Sequence, residues 1–291
     1  MVGTAVDSST AMSDRDFSRF RDLIYRECGI NLVPAKKIML TSRLKKRLRA
    51  LGMASFGEYY EYVSSGKGGA TEQVHMLDAV STNKTDFFRE PKHFDYLEKE
   101  ALPGLVRSGR WRSGQRLNSW SAGCSTGEEP YTLAMVLADF ASRSRAGDFT
   151  VLATDISTRV LDVARKGIYP ESTIHPVSPE LKRKYLMRGK GSKQGFCRVV
   201  PELRKHIEFQ RLNLNNGRHF GIRTRMDIIF CRNVIIYFDR DTQKRLFEKF
   251  YAQLVPGGYL LIGHSETLHG INDQFKPVRV ATYQKPGGAE T

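Results

Sequence analysis

The sequence predicts an α/β fold: a doubly wound, mostly parallel sheet, preceded by an N-terminal helical domain and interrupted by a small antiparallel β insertion. Three observations predict it. Residues 13–80 carry apolar side chains at helical spacing, residues 116–291 alternate strand-like and helix-like patterns, and residues 168–206 break that alternation around a Gly-rich turn. At 291 residues and 40% hydrophobic, the chain can bury one substantial core and a small second domain.

Residues 1–12 lack both a basic start and a long apolar run, so they are expected to be a loose, disordered tail and not a secretory signal. Ser13 or Asp14 then caps a helix with a stripe of Phe17, Phe20, Leu23 and Ile24. In "PAKKIMLTSRLKKRLRALG", Leu40, Leu44, Leu48 and Leu51 share one face and Gly52 is a stop. Residues 81–115 read as a linker and helix between the domains. "RLNSWSA" is a strand, and "GEEPYTLAMVLADFA" is a helix whose Thr126 and Glu129 fit a capping box. "FTVLATDIS" is the next strand and "STRVLDVARKGIY" the next helix, an order that implies right-handed crossovers. The insertion is expected to hold two short strands in "KYLMRGKGSKQGFCRVV". "IEFQRLNL", "RMDIIFCRNVIIYF", the helix "DRDTQKRLFEKFYAQL" and "GGYLLIGHSE" follow, and "PVRVATYQK" is expected to form a last edge strand.

The formal net charge of +15 favours an acidic partner, which charge alone leaves open between nucleic acid, anionic lipid and an acidic protein surface. The basic residues concentrate: between Asn31 and Gly57 there are seven, with no acidic residue among them. A helix face that is only solvated gains from interleaved i, i+4 pairs, so Arg43, Lys45, Lys46 and Arg49 read as a docking face for something acidic. Cys28, Cys124, Cys197 and Cys231 are far apart, without metal-ligand or redox spacing, so no metal site is expected and a reduced, cytoplasmic setting is the simplest reading. No stretch approaches the roughly 18 apolar residues of a membrane span.

"WSAGCSTGEEPYTLA" falls after the first strand of the sheet, at the carboxyl ends where open α/β sheets bind ligands. Gly123 and Gly127 allow close approach of backbone to ligand. Neither the phosphate-loop spacing nor the three-glycine dinucleotide spacing is present. Glu128 and Glu129 stand where a pyrophosphate would rest, which disfavours an anion and permits a cation. S-adenosylmethionine, with its sulfonium and ammonium, suits that electrostatics, and Asp155 at the end of the next strand is placed to accept hydrogen bonds from ribose hydroxyls.

The chain resembles the chemotaxis receptor methyltransferase family (CheR type) in four stretches taken in order: "STNKTDFFRE", "WSAGCSTGEEPY", "FCRNVIIYF" and "GHSE". The resemblance implies a sheet of the S-adenosylmethionine-dependent methyltransferase type and methyl transfer to glutamate side chains of bacterial chemoreceptors. It implies that Asn83, Thr85 and Arg89 contact cofactor or substrate and that Glu129, with Glu128, faces the methionine amine. Asp155 would hold the ribose, Asn213 and Leu214 would flank the adenine, and Arg232, Asn233, Val234 and Tyr237 would close the site. Arg89 and Tyr237 are the expected catalytic pair, and His264 lines the site or supports it. The basic helix would dock on the cytoplasmic helical domain of a receptor, at the receptor arrays, and the insertion resembles the element that grips a receptor C-terminal peptide in some members. Two other readings stay open on the residues alone: a methyltransferase acting on nucleic acid, and a regulatory module that keeps the fold.

Overall fold

A computed structural model of the chain describes residues 11–65, 69–144 and 146–287. Helix α1 (Asp14–Cys28) starts where the Ser13 hydroxyl accepts from the Asp16 N–H at 3.0 Å and stops at Gly29 in the left-handed region. A short 3₁₀ turn, Pro34–Lys36, leads into α2 (Lys37–Leu51), which Gly52 ends; α3 (Phe56–Ser64) and α4 (Gly69–Val80) complete the domain. Phe17, Phe20, Leu23 and Ile24 of α1 meet Leu40, Leu44 and Leu48 of α2 in one buried cluster. Met12 is buried in that cluster too, so the expected loose tail ends before it; residues 1–10 lie outside the described residues.

The connection to the sheet is a helix wound in three parts: α5 (Lys92–Tyr96), a π-helical turn Leu97–Ala101, and α6 (Leu102–Arg107). Pro103, at the start of α6, has no N–H to give the preceding turn, and the helix widens just ahead of it.

The second domain runs β1 (Arg116–Ala122), α7 (Glu128–Arg143), β2 (Asp148–Asp155), α8 (Thr158–Lys166), β3 (Ile168–Pro170), α9 (Pro179–Tyr185), β4 (Leu186–Arg188), β5 (Phe196–Val199), α10 (Pro201–Arg204) and β6 (Ile207–Arg211). It continues with β7 (Met226–Cys231), α11 (Arg240–Gln253), β8 (Leu254–Ile262), β9 (Lys276–Arg279) and β10 (Thr282–Gln284). The main sheet has the order β6-β2-β1-β7-β8-β10-β9; the first five strands are parallel, and β10 and β9 are antiparallel to their neighbours. Apolar clusters cover both faces, one with Leu133 and Leu137 of α7, the other with Phe247 and Phe250 of α11. From β1 the chain winds one way to β2 and β6, then the other way to β7 and β8. The carboxyl ends of β1 and β7 therefore flank the switch point where such sheets bind ligands. Among the described residues no helix is long and apolar enough to cross a membrane.

The structure corrects the expected elements in three places. The insertion holds three strands, in the order β3-β5-β4, because α8 stops at Lys166. Gly167, left-handed at φ 59°, ends that helix and frees Ile168–Pro170 to pair with β5. The C-terminal run forms two strands, because a turn at Val280 and Ala281, the latter left-handed at φ 53°, folds the chain back so that β10 pairs with β8 while β9 takes the edge. Thr126 and Glu129 do not form a capping box: Gly127 is the N-cap of α7 with no side-chain bond, and both side chains have other partners.

Candidate cofactor cleft

A cleft of about 590 Å³ opens over the carboxyl ends of β1, β2 and β7. Its volume falls within the range of small-molecule sites. The turn after β1 forms its floor. Gly123 and Cys124 both donate their N–H to the Thr154 carbonyl, at 2.8 and 2.9 Å, so the turn is pinned to the end of β2. Gly123 has φ 84°, and a Cβ there would drive into the Val234 side chain, so both conformation and space demand glycine. Ser125 donates its N–H to Asp155 Oδ2 at 2.8 Å and its hydroxyl to the Asn83 carbonyl at 2.8 Å, which ties the interdomain linker to the floor. Asp155 Oδ1 accepts from the Ser157 N–H at 2.9 Å. Burial pushes the Asp155 carboxyl above the usual range, against the pull of its backbone donors.

Arg232 organises the wall after β7. Its Nε donates to Glu129 Oε2 at 2.8 Å, and its Nη1 donates to the Arg89 carbonyl at 2.6 Å and contacts His93 Nδ1 at 3.2 Å. Glu129 also accepts from the Ser121 hydroxyl at 2.7 Å, so a buried ion pair holds β1, α7 and β7 in register. His93 is pushed down to about 3, first by burial and then by Arg232, and stays neutral. The next residue, Asn233, is left-handed at φ 58°. Glu266 holds that turn, accepting from the N–H groups of Gly263 (2.6 Å), Asn233 (3.0 Å) and Ile236 (3.3 Å). Glu90, His93 and His264 offer a carboxylate and two imidazoles within 4.8 Å of one another, but the Arg232 guanidinium already contacts Glu90 and His93. A cation is therefore already in place there.

A family model described as "CheR methyltransferase, SAM binding domain" matches residues 83–284, and one described as "CheR methyltransferase, all-alpha domain" matches residues 15–81. The chain belongs to the CheR methyltransferase family. It is 41% identical over 271 residues to the Chemotaxis protein methyltransferase of Borreliella burgdorferi, covering 93% of this chain and 94% of that one. The protein of the same name from Escherichia coli is 40% identical over 265 residues, covering 91% and 88%. Chemotaxis protein methyltransferase 2 of Pseudomonas aeruginosa is 42% identical over 251 residues, covering 86% of each chain. As a CheR family member, the chain is a methyltransferase with S-adenosylmethionine as its cofactor.

The cleft of this CheR methyltransferase brings together Asn83, Thr85, Arg89, Glu129, Asp155, Asn213, Leu214, Arg232, Asn233, Val234 and Tyr237, from the linker and four strand ends. Glu128 is not among them. It accepts from the Thr126 hydroxyl at 2.6 Å, off the cleft wall, and burial raises its carboxyl. The first helical turn carries consecutive residues on different faces, so only one of two adjacent glutamates can point into the cleft. The basic helix also divides. Arg43 lies in the cleft, its guanidinium bonded to the carbonyls of Val80 and Ser81, whereas Lys45, Lys46 and Arg49 line a separate open groove on α2. Sequence reasoning did not assign Ser121, Ser125, Glu90, His93 or Glu266. The "GHSE" stretch was a signal for the last of these, and the others became visible only through contacts distant in sequence.

The cleft suits the cofactor. Asn83 Nδ2 is buried with no partner among the described residues, a donor that a ligand would satisfy. Asp155 and Glu129 are the acidic residues of the lining, Ile156 and Leu214 supply apolar surface, and Gly123 keeps the floor low.

Proposed function

We propose that the protein methylates glutamate side-chain carboxylates of bacterial chemoreceptors, forming methyl esters in chemotactic adaptation. The observation that carries this reading is the segregation of charge in one cleft. Buried inside are the acidic Glu129 and Asp155 and one cation, Arg232, which is paired with Glu129, while Lys36, Lys84, Arg43 and Arg89 line it toward the linker and the mouth. The interior suits a cationic cofactor and the mouth suits an anionic acceptor. The names of the relatives supply the chemotactic setting.

When bound, S-adenosylmethionine supplies a methyl on a positively charged sulfur, which a carboxylate takes by in-line displacement while the electron pair of the broken bond returns to sulfur. The chain's own residues then have positional work. Asp155 accepts from the ribose hydroxyls with the oxygen capacity its backbone bonds leave free. Glu129, fixed by Arg232 and Ser121, faces the amine. Asn213 and Leu214 flank the base, and Asn83 and Thr85 close over the cofactor from the linker. Arg89 and Tyr237 orient the incoming carboxylate, which is ionised at neutral pH and requires no general base. Such alignment lowers a barrier by about 7–11 kcal/mol in favourable cases. His93, held neutral in the Arg232 network, supports the wall and moves no proton.

Lys45, Lys46 and Arg49 on α2 would guide the acidic helical domain of the receptor, placing the enzyme at receptor arrays. In the insertion, β3 and β4 are the edges of the small sheet, and either suits an added strand from a receptor C-terminal peptide. The test is to incubate the protein with S-adenosylmethionine and a purified receptor cytoplasmic domain, then sequence its peptides by mass spectrometry. Added methyl groups are expected on glutamate side chains, and Lys46→Glu with Arg49→Glu is expected to raise the receptor KM without changing cofactor affinity. Methyl groups on lysine, arginine or the N-terminus instead would refute the proposal.

A further inference from the structure

Val33 and Ile236 are apolar residues that line the cleft and yet stand 50% and 51% exposed. They come from different domains, whose backbones are linked just beside them. The Asn31 N–H donates to the Tyr237 carbonyl at 2.8 Å, and Ile30 bridges Phe238 in antiparallel register. Continued by one step, that register sets Ile236 across from Leu32, the residue before Val33, and both Val33 and Ile236 stand on the cleft lining. Both are fixed: Val33 stands at the N-cap position of the Pro34–Lys36 turn, and the Ile236 N–H donates to the half-buried Glu266. A rim already held in place saves the ordering cost of binding.

Around this apolar pair, exposed Lys36 and Lys84 and half-buried Arg43 and Arg89 share the lining, whose acidic residues, Glu129 and Asp155, are buried. The rim therefore presents aliphatic surface and positive charge together. A nucleic acid backbone would satisfy the cations but set phosphates against Val33 and Ile236. An acidic helix with an aliphatic residue about one turn from its target carboxylate satisfies both.

We infer that Val33 and Ile236 form a specificity rim that selects glutamates with an apolar neighbour on the same helix face. The inference rests on the reading of the substrate as a receptor glutamate. The apolar neighbour seats between the two side chains, and the rim cations hold the remaining acidic residues of the helix. The target carboxylate then enters the cleft in a set direction.

The experiment measures steady-state methylation of a receptor cytoplasmic domain by the wild type, by Val33→Ser with Ile236→Ser, and by Val33→Leu with Ile236→Leu. S-adenosylhomocysteine affinity is measured in parallel. The serine pair is expected to raise the receptor KM about tenfold with kcat and cofactor affinity unchanged, and the leucine pair to keep the wild-type KM. Replacing the apolar neighbour of a target glutamate by serine in the receptor is expected to cost the same factor, without adding to the loss in the serine enzyme. If the wild type esterifies receptor glutamates and the serine pair leaves KM unchanged, the rim inference is overturned and the substrate reading stands. If the wild type places no methyl on receptor glutamates, the substrate reading falls and takes the rim with it. A serine pair that instead alters self-association in sedimentation, or binding to anionic vesicles, gives the rim a different occupant and also overturns the inference.

Discussion

Replacing Arg232 by methionine removes the guanidinium but keeps much of the side-chain volume. Arg232 is 6% exposed and holds Glu129, itself 8% exposed, at 2.8 Å. After the substitution, the Glu129 carboxylate keeps the Ser121 hydroxyl as its remaining partner from the pair's network, and the Arg89 carbonyl loses the donor that reached it at 2.6 Å. Removing one partner of a buried pair costs about 3–5 kcal/mol, because the charge left behind is desolvated and unpaired. An exposed pair such as Arg165 with Asp162 is worth at most about 1 kcal/mol. Urea unfolding followed by circular dichroism is expected to show the larger loss for Arg232→Met. Adding Glu129→Gln removes the stranded charge and is expected to recover about 1.5–3 kcal/mol, a coupling in the range of contacting residues. A loss below about 1 kcal/mol for Arg232→Met, with no recovery in the double variant, would refute the account of this wall.

Three further outcomes are expected. Asp155→Asn removes one of the two carboxylates of the cleft lining and should weaken S-adenosylhomocysteine binding by about 10–150-fold in calorimetry; a change under about twofold would remove Asp155 from the ribose site. His93 has a folded value pushed from 6.5 down to about 3, so its contribution is full above pH 6.5 and is lost as pH falls toward 3. The slope approaches about 1.4 kcal/mol per pH unit, and His93→Gln should flatten urea stability between pH 6.5 and 4.5; parallel curves would contradict this. Gly123→Ala combines a left-handed backbone with a collision against Val234 and should cost at least about 1 kcal/mol and most cofactor affinity, whereas near-native binding would mean that the floor can shift.

Much of this architecture is legible in the sequence, where one residue type answers one local demand. Ser13, Gly52 and the stripe from Phe17 to Ile24 mark helix ends and faces directly. The small-residue turn after β1 and the acid at the end of β2 announce the ligand end of the sheet, and the resemblance supplied the strand-end residues that the structure gathers. The errors arose where one cue served two outcomes. A helical pattern continued through "KGIY" because nothing local says that Gly167 will turn Ile168 into a strand paired with residues far along the chain. Glu128 and Glu129 are alike in sequence, and only the helix start at Gly127 decides which faces the cleft. Arg43 shares its helix with Lys46 and Arg49 but lies within reach of the Val80 and Ser81 carbonyls, a contact set by domain packing. The Arg232 network joins residues up to 143 positions apart and has no local signature.

The most direct test of carboxylate methylation is a label experiment. The protein is incubated with methyl-labelled S-adenosylmethionine and membranes containing chemoreceptors, the receptor band is treated with base, and released methanol is counted. The account predicts base-labile label on the receptor that is lost in Arg89→Ala, whose backbone carbonyl still holds Arg232. Label that survives base would mean transfer to nitrogen or carbon and would contradict it.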